Sequence, residues 1–107
     1  MAEDIIKKIR SQIENNKILL YMKGTREMPQ CGFSARVVEI LNSYEVPYET
    51  VDVLSDPELR QALKEYSNWP TFPQLYVNGK LIGGCDICVE MDKNGELEPI
   101  IRSAVRG

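Results

Sequence analysis

"PQLYVNGKLIGG", residues 73–84, holds two apolar runs separated by Asn78 and Gly79. Both turn residues tolerate positive φ, which makes the pair the strongest short-range sign of a tight hairpin. Two antiparallel strands follow from it. Further back along the chain, "KILLYM" (17–22) has too little room for a helix between its polar flanks and reads as a buried strand, while "YETVDV" (48–53) reads as another. Between them, "GFSARVVEILNSY" (32–44) places Phe33, Val37, Leu41 and Tyr44 on one helical stripe. Strand, helix and strand in that order form a crossover with parallel strands. The hairpin then adds antiparallel strands, so the sheet is mixed.

The remaining segments are helical. In "AEDIIKKIRSQIENN" (2–16), Ile5, Ile6, Ile9 and Ile13 recur at helical spacing, and Asn15 and Asn16 make a stop. "SDPELRQALKEYS" (55–67) opens like a capped helix: Ser55 and Glu58 fit a capping box, Pro57 suits the first turn, and Leu59, Leu63 and Tyr66 follow. "CDICVEMDKNGELEPIIRSAVRG" (85–107) reads as a short helix, a break at Asn94 and Gly95, and a last helix using Leu97, Ile100, Ile101 and Val105. The predicted fold is α/β: a four-stranded mixed sheet flanked by helices, in the order α, β, α, β, α, β, β, α, α.

The 107 residues, 43% of them hydrophobic, suit one domain spanning 1–107, and neither a repeat nor a linker divides them. The net charge is -3 with no basic stripe, which disfavours nucleic acid. No apolar run approaches the roughly 20 residues needed to cross a bilayer, so no membrane span is expected. The start, "MAEDIIKKIR", lacks the order of a signal peptide and is too acidic for a transit peptide. Three cysteines, an odd number, argue against a disulfide framework, and a reducing cytoplasmic setting is expected. They also fall one short of a closed all-cysteine zinc site, and the chain has no histidine.

Chemistry concentrates in "PQCGFSARVVEI" (29–40), where Cys31 opens a helix and Ser34 stands in the place of a second redox thiol. Cys31 lies beyond the carboxyl end of the first strand, where open α/β sheets put their ligand sites. A thiol at a helix N-terminus feels unpaired N–H groups and the positive end of the macrodipole, which favour the thiolate. Lys23 adds positive charge. A buried structural cysteine is the alternative, and Gln30, Gly32 and Ser34 make poor walls for it. "CDIC" (85–88) has the spacing the first site lacks, but lies outside the crossover unit. Cys88 reads there as a small buried hydrophobe, whereas Cys85 lies near the expected ligand site, and a regulatory disulfide with Cys31 stays open.

"CGFS" (31–34), preceded by "KGT" (23–25) and followed by "WPTFPQLYVNGKLIGGCDI" (69–87), resembles a monothiol glutaredoxin of the CGFS type across essentially the whole chain. The resemblance implies a thioredoxin-like fold and a single glutaredoxin domain over 1–107. It also implies bound glutathione and a role in carrying 2Fe-2S clusters. Carried onto this sequence, Lys23 and Arg60 hold the glycine carboxylate of glutathione, and the backbone of Phe72, before a cis Pro73, pairs with its cysteinyl unit. The backbone around Cys85 and the side chain of Asp86 hold the γ-glutamyl end. Asp86 could instead simply cap its helix, and Trp69 is either core or a wall of the site.

Cys31 is then both the reactive thiol and the metal ligand. A 2Fe-2S centre usually needs four thiolates, and one chain offers only Cys31 in the right place. Two chains and two glutathione molecules complete the set, so a homodimer with a bridging cluster is implied, which passes it to apo iron-sulfur proteins in iron-sulfur biogenesis and iron homeostasis. The alternative is a weak glutathione-dependent thiol-disulfide oxidoreductase that deglutathionylates substrates through Cys31 alone. The loop "GTREMPQ" (24–30), longer than in active dithiol relatives, weighs against that. A third reading is a regulatory module paired with a BolA-like partner.

Overall fold

The computed structural model describes residues 3–107. Its elements are α1 (Glu3–Asn15), β1 (Ile18–Met22), α2 (Gly32–Ser43), β2 (Glu49–Asp52), a 3-10 turn (Val53–Ser55), α3 (Pro57–Ser67), β3 (Gln74–Val77), β4 (Lys80–Gly83), α4 (Cys85–Lys93) and α5 (Leu97–Arg106). The sheet order is β2-β1-β3-β4, with β1 parallel to β2 and the other pairings antiparallel. This is the expected mixed sheet with helices on both faces. Ala2, where the first helix was predicted to begin, lies outside the described residues.

Every residue of β1 is buried, because both faces of the strand are covered. Leu19 and Tyr21 pack with Ile5, Ile9 and Ile13 of α1 and Leu59 and Leu63 of α3. Ile18, Leu20 and Met22 meet Val37 and Leu41 of α2, Cys88 of α4, and Leu97 and Ile101 of α5. The period of two along the strand thus separates two cores, one per face. In the hairpin, Asn78 and Gly79 both take positive φ, 50° and 82°, as the turn requires.

Four sequence expectations shift, one of them Tyr66, which is 39% exposed near the end of α3 while Ala62 joins Leu59 and Leu63 on the buried face. The cap of α3 is Asp56, whose carboxylate accepts the Leu59 N–H at 3.2 Å; Ser55 instead donates its hydroxyl to the Asp52 carbonyl at 2.8 Å. Pro57 explains the offset: without an N–H and with its φ fixed, it fits the first helical position, so the residue just before it caps. Phe33 is 62% exposed although it shares a stripe with Val37 and Leu41, because it sits in the first turn of α2, beside the cleft described below. On α5, Ala104 is buried while Ile100 is 37% exposed.

Ile101 is fully buried where α5 docks on the sheet. Ile101→Ala should lower the unfolding free energy by about 2–5 kcal/mol, read as an earlier midpoint in urea; a loss no larger than that of an exposed substitution would show that α5 contributes little to the core.

Candidate functional site

Cys31 is the N-cap of α2, with extended backbone (φ -153°, ψ 133°), and its carbonyl accepts the first helical bond from Ala35 at 2.9 Å. Its thiol therefore faces the free N–H groups of the first turn. The thiol is held below its ordinary pKa, chiefly by the backbone N–H of Ser34, with help from the Phe33 N–H, the Lys23 charge and the Ser34 hydroxyl, against an opposing desolvation.

Ser34 is not merely a missing thiol. It is fully buried, and its hydroxyl oxygen accepts the backbone N–H of Lys23 at 3.1 Å. Next along the chain, the Gly24 N–H donates to Asp52 Oδ1 at 2.9 Å, and the same oxygen accepts from the Leu54 N–H. Gln30 closes the loop by donating its N–H to the Lys23 carbonyl at 2.9 Å. Gly24 has φ 90°, and a Cβ there would lie 2.6 Å from both Gln30 N and Met28 O, so only glycine fits the turn. Lys23 is thereby pinned beside Cys31. Asp52 carries no mark in the sequence beyond a carboxylate at the end of a polar, half-buried strand.

A cleft of about 430 Å³ opens between this loop, the 69–73 segment and the start of α4. Lys23, Cys31, Phe72, Cys85 and Asp86, all predicted site residues, line it. Arg60 is not on its wall, but Arg60 Nε is buried with no hydrogen-bond partner. Trp69 proves to be a wall, and its indole N–H is likewise buried and unpartnered. The Phe72–Pro73 bond is cis. Gly84, the N-cap of α4, lets the chain pass close to the opposite wall, since a Cβ there would lie 3.2 Å from the Pro73 carbonyl oxygen. Asp86 is therefore not the cap, and its exposed carboxylate remains directed to the cleft region.

The other two thiols differ from the first. Burial raises Cys85, and the Asp86 carboxylate adds to the rise. Cys88 is 0% exposed and is pushed up to about 12, first by burial and then by Cys85. All three cysteines are free. Among the described residues no three ligating side chains converge.

The family model described as Glutaredoxin matches residues 18–82. The chain is 54% identical over 98 residues to a Synechocystis protein named uncharacterized monothiol glutaredoxin ycf64-like, covering 92% of each. It is 52% identical over 106 residues to a probable monothiol glutaredoxin 2 of Rickettsia typhi, covering 99% of this chain and 96% of that one. Among solved structures, reduced poplar apo GrxS14 matches with a TM-score of 0.83 at 48% identity, over 96% of this chain and 94% of the other. The fold is thioredoxin-like, as expected.

Alkylation by iodoacetamide, mapped by mass spectrometry across a pH series, should modify Cys31 first and at the lowest pH, because the thiolate is the nucleophile and Cys31 alone is lowered. Cys85 should follow at higher pH, and Cys88 should react only on unfolding. Early labelling of Cys88 would contradict its burial.

Proposed function

Because the chain belongs to the glutaredoxin family, in its monothiol branch, we propose that it binds glutathione in the Cys31 cleft and, as a homodimer, carries a bridging 2Fe-2S cluster to apo iron-sulfur proteins. One observation carries this reading: Cys31 is the single lowered thiol on the cleft, and the position where a resolving thiol could stand is Ser34, whose hydroxyl accepts the Lys23 N–H. A thiolate with no second thiol three residues on stays available to metal.

The cleft suits a small peptide with a carboxylate at each end. Lys23 offers it a cation, Asp86 an anion for an ammonium, and Phe72 lines the same cleft. Arg60 is the second proposed contact to the glycine carboxylate, and its orphaned Nε is what a donor looks like when its acceptor is not part of the chain. The cluster is cargo. Two copies of Cys31 and two glutathione thiolates would hold it, and incoming cysteines of an apoprotein would displace them one by one. A BolA-like partner replacing one copy would have to supply the missing ligands. We propose a reducing, cytoplasmic setting, in keeping with three free thiols.

The lowered Cys31 also favours a second reading, glutathione-dependent deglutathionylation. Its thiolate attacks the glutathione sulfur of a mixed disulfide and the substrate thiolate leaves. A second glutathione thiolate then attacks that sulfur, frees Cys31 and forms glutathione disulfide. No second protein thiol is needed.

Visible spectra after anaerobic reconstitution with iron and sulfide separate the two. Charge-transfer bands should form only with glutathione present, vanish in Cys31→Ser and persist in Cys88→Ser. A colourless product with and without glutathione, alongside turnover of a glutathione mixed disulfide, would favour the enzyme. Arg60→Ala should weaken glutathione binding about tenfold, the order expected for one charge-assisted hydrogen bond; unchanged affinity in calorimetry would remove Arg60 from the binding site.

A further inference from the structure

Gln74, the first residue of β3, is 0% exposed, an unusual place for an amide among apolar neighbours. Each of its polar functions is used. Nε2 donates to the Trp69 carbonyl at 3.2 Å and to the Thr71 carbonyl at 3.2 Å, and Oε1 accepts the Tyr76 hydroxyl at 3.2 Å. An amide has two donors to give, and both go to one five-residue segment, 69–73. The other end of that segment is tied to α3: the Trp69 N–H donates to Ser67 Oγ at 3.1 Å, and that hydroxyl donates to the Leu63 carbonyl at 2.7 Å.

Packing alone does not shape this segment. Pro70 and Thr71 are exposed, and only Phe72 and Pro73 are buried. A segment with few buried contacts depends on its hydrogen bonds, and here Ser67 holds only the Trp69 end while Gln74 alone reaches both Trp69 and Thr71. Tyr76 in turn is held edge-on to Tyr21, with ring centroids 5.7 Å apart, inside the α1/α3 core. Gln74 thus transmits the rigidity of that core to the wall of the cleft that carries Trp69 and Phe72.

We infer that Gln74 is a positioning residue for ligand binding: its amide fixes the 69–72 backbone in the shape that Phe72 presents to the peptide. This rests on the reading that glutathione binds in the cleft. Cys31 stands on α2, outside the bonds Gln74 makes, so loosening the 69–73 wall should leave the thiol unaffected.

The test compares glutathione affinity by calorimetry with the pH profile of Cys31 alkylation in the parent, Gln74→Met, Tyr76→Phe and Ile101→Ala, the last destabilised from the opposite face. Gln74→Met should bind glutathione about tenfold or more weakly, for want of two hydrogen bonds in the binding segment, with the Cys31 profile unmoved. Tyr76→Phe, which removes only the hydroxyl orienting the amide, should show a smaller loss in the same direction, and Ile101→Ala none. Trp69, the only tryptophan, should report the loosened wall as a shifted emission in Gln74→Met. If the parent binds no glutathione, both the proposed ligand and this inference fall. If the parent binds while Gln74→Met stays within about twofold of it, or Ile101→Ala loses as much, the positioning role alone is overturned. Should Gln74→Met fail to fold, Tyr76→Phe decides by the same criterion.

Discussion

Burial of β1 on both faces is the constraint from which the remaining architecture follows. A strand with five consecutive buried residues needs a hydrogen-bonded neighbour at each edge and a helical layer on each face. The parallel partner β2, the antiparallel partner β3 and the helices on the two sides meet those needs, and little freedom is left where the strand ends. Lys23 comes immediately after that end. A site built there inherits the rigidity of the most buried strand in the molecule, while the loop that follows stays open to solvent and ligand.

The loop itself is shaped by single hydrogen bonds made at its roots. Ser34 takes the Lys23 N–H, Asp52 takes the Gly24 N–H, and a glycine with φ 90° makes the turn between them and the rest of the loop. Asp52 also holds the Leu54 N–H in the turn that leads to α3. One carboxylate therefore couples the segment bearing Lys23 to the helix bearing Arg60. Those segments bear the two cations proposed to share one carboxylate of the ligand.

Features governed by local chemistry were legible in the sequence. The Asn78–Gly79 turn, the crossover around α2, the break at Asn94–Gly95 and the cysteine at a helix start all rest on backbone preferences or short-range periodicity. Features set by distant partners were not. Nothing near Gln74 in the chain marks its amide as a clamp, since its use depends on a loop that doubles back over it. The stripe of α2 placed Phe33 with Val37, yet a stripe cannot say where the sheet beneath a helix ends. Arg60 came from family resemblance, and its place off the cleft wall lay beyond what helical spacing could tell.

The two cysteine-x-x-x positions show why spacing alone does not make a redox site. At α2 the first residue is a thiol facing backbone N–H groups with Lys23 nearby, and its thiolate is favoured. At α4 the chain supplies both thiols, Cys85 and Cys88, in the first turn of a helix of similar build. Yet burial raises Cys85, the negative charge of Asp86 adds to the rise and outweighs the opposing pull of Arg36, and Cys88 is turned into the core with Val37, Leu97 and Ile101. Burial there makes the thiolate of Cys88 costly, so the second position is filled by sulfur that behaves as a hydrocarbon. The position with one thiol is the one whose thiolate is favoured, and at the position with two both thiols are raised, because access to solvent and the sign of the neighbouring charge decide what a helix N-terminus does with sulfur.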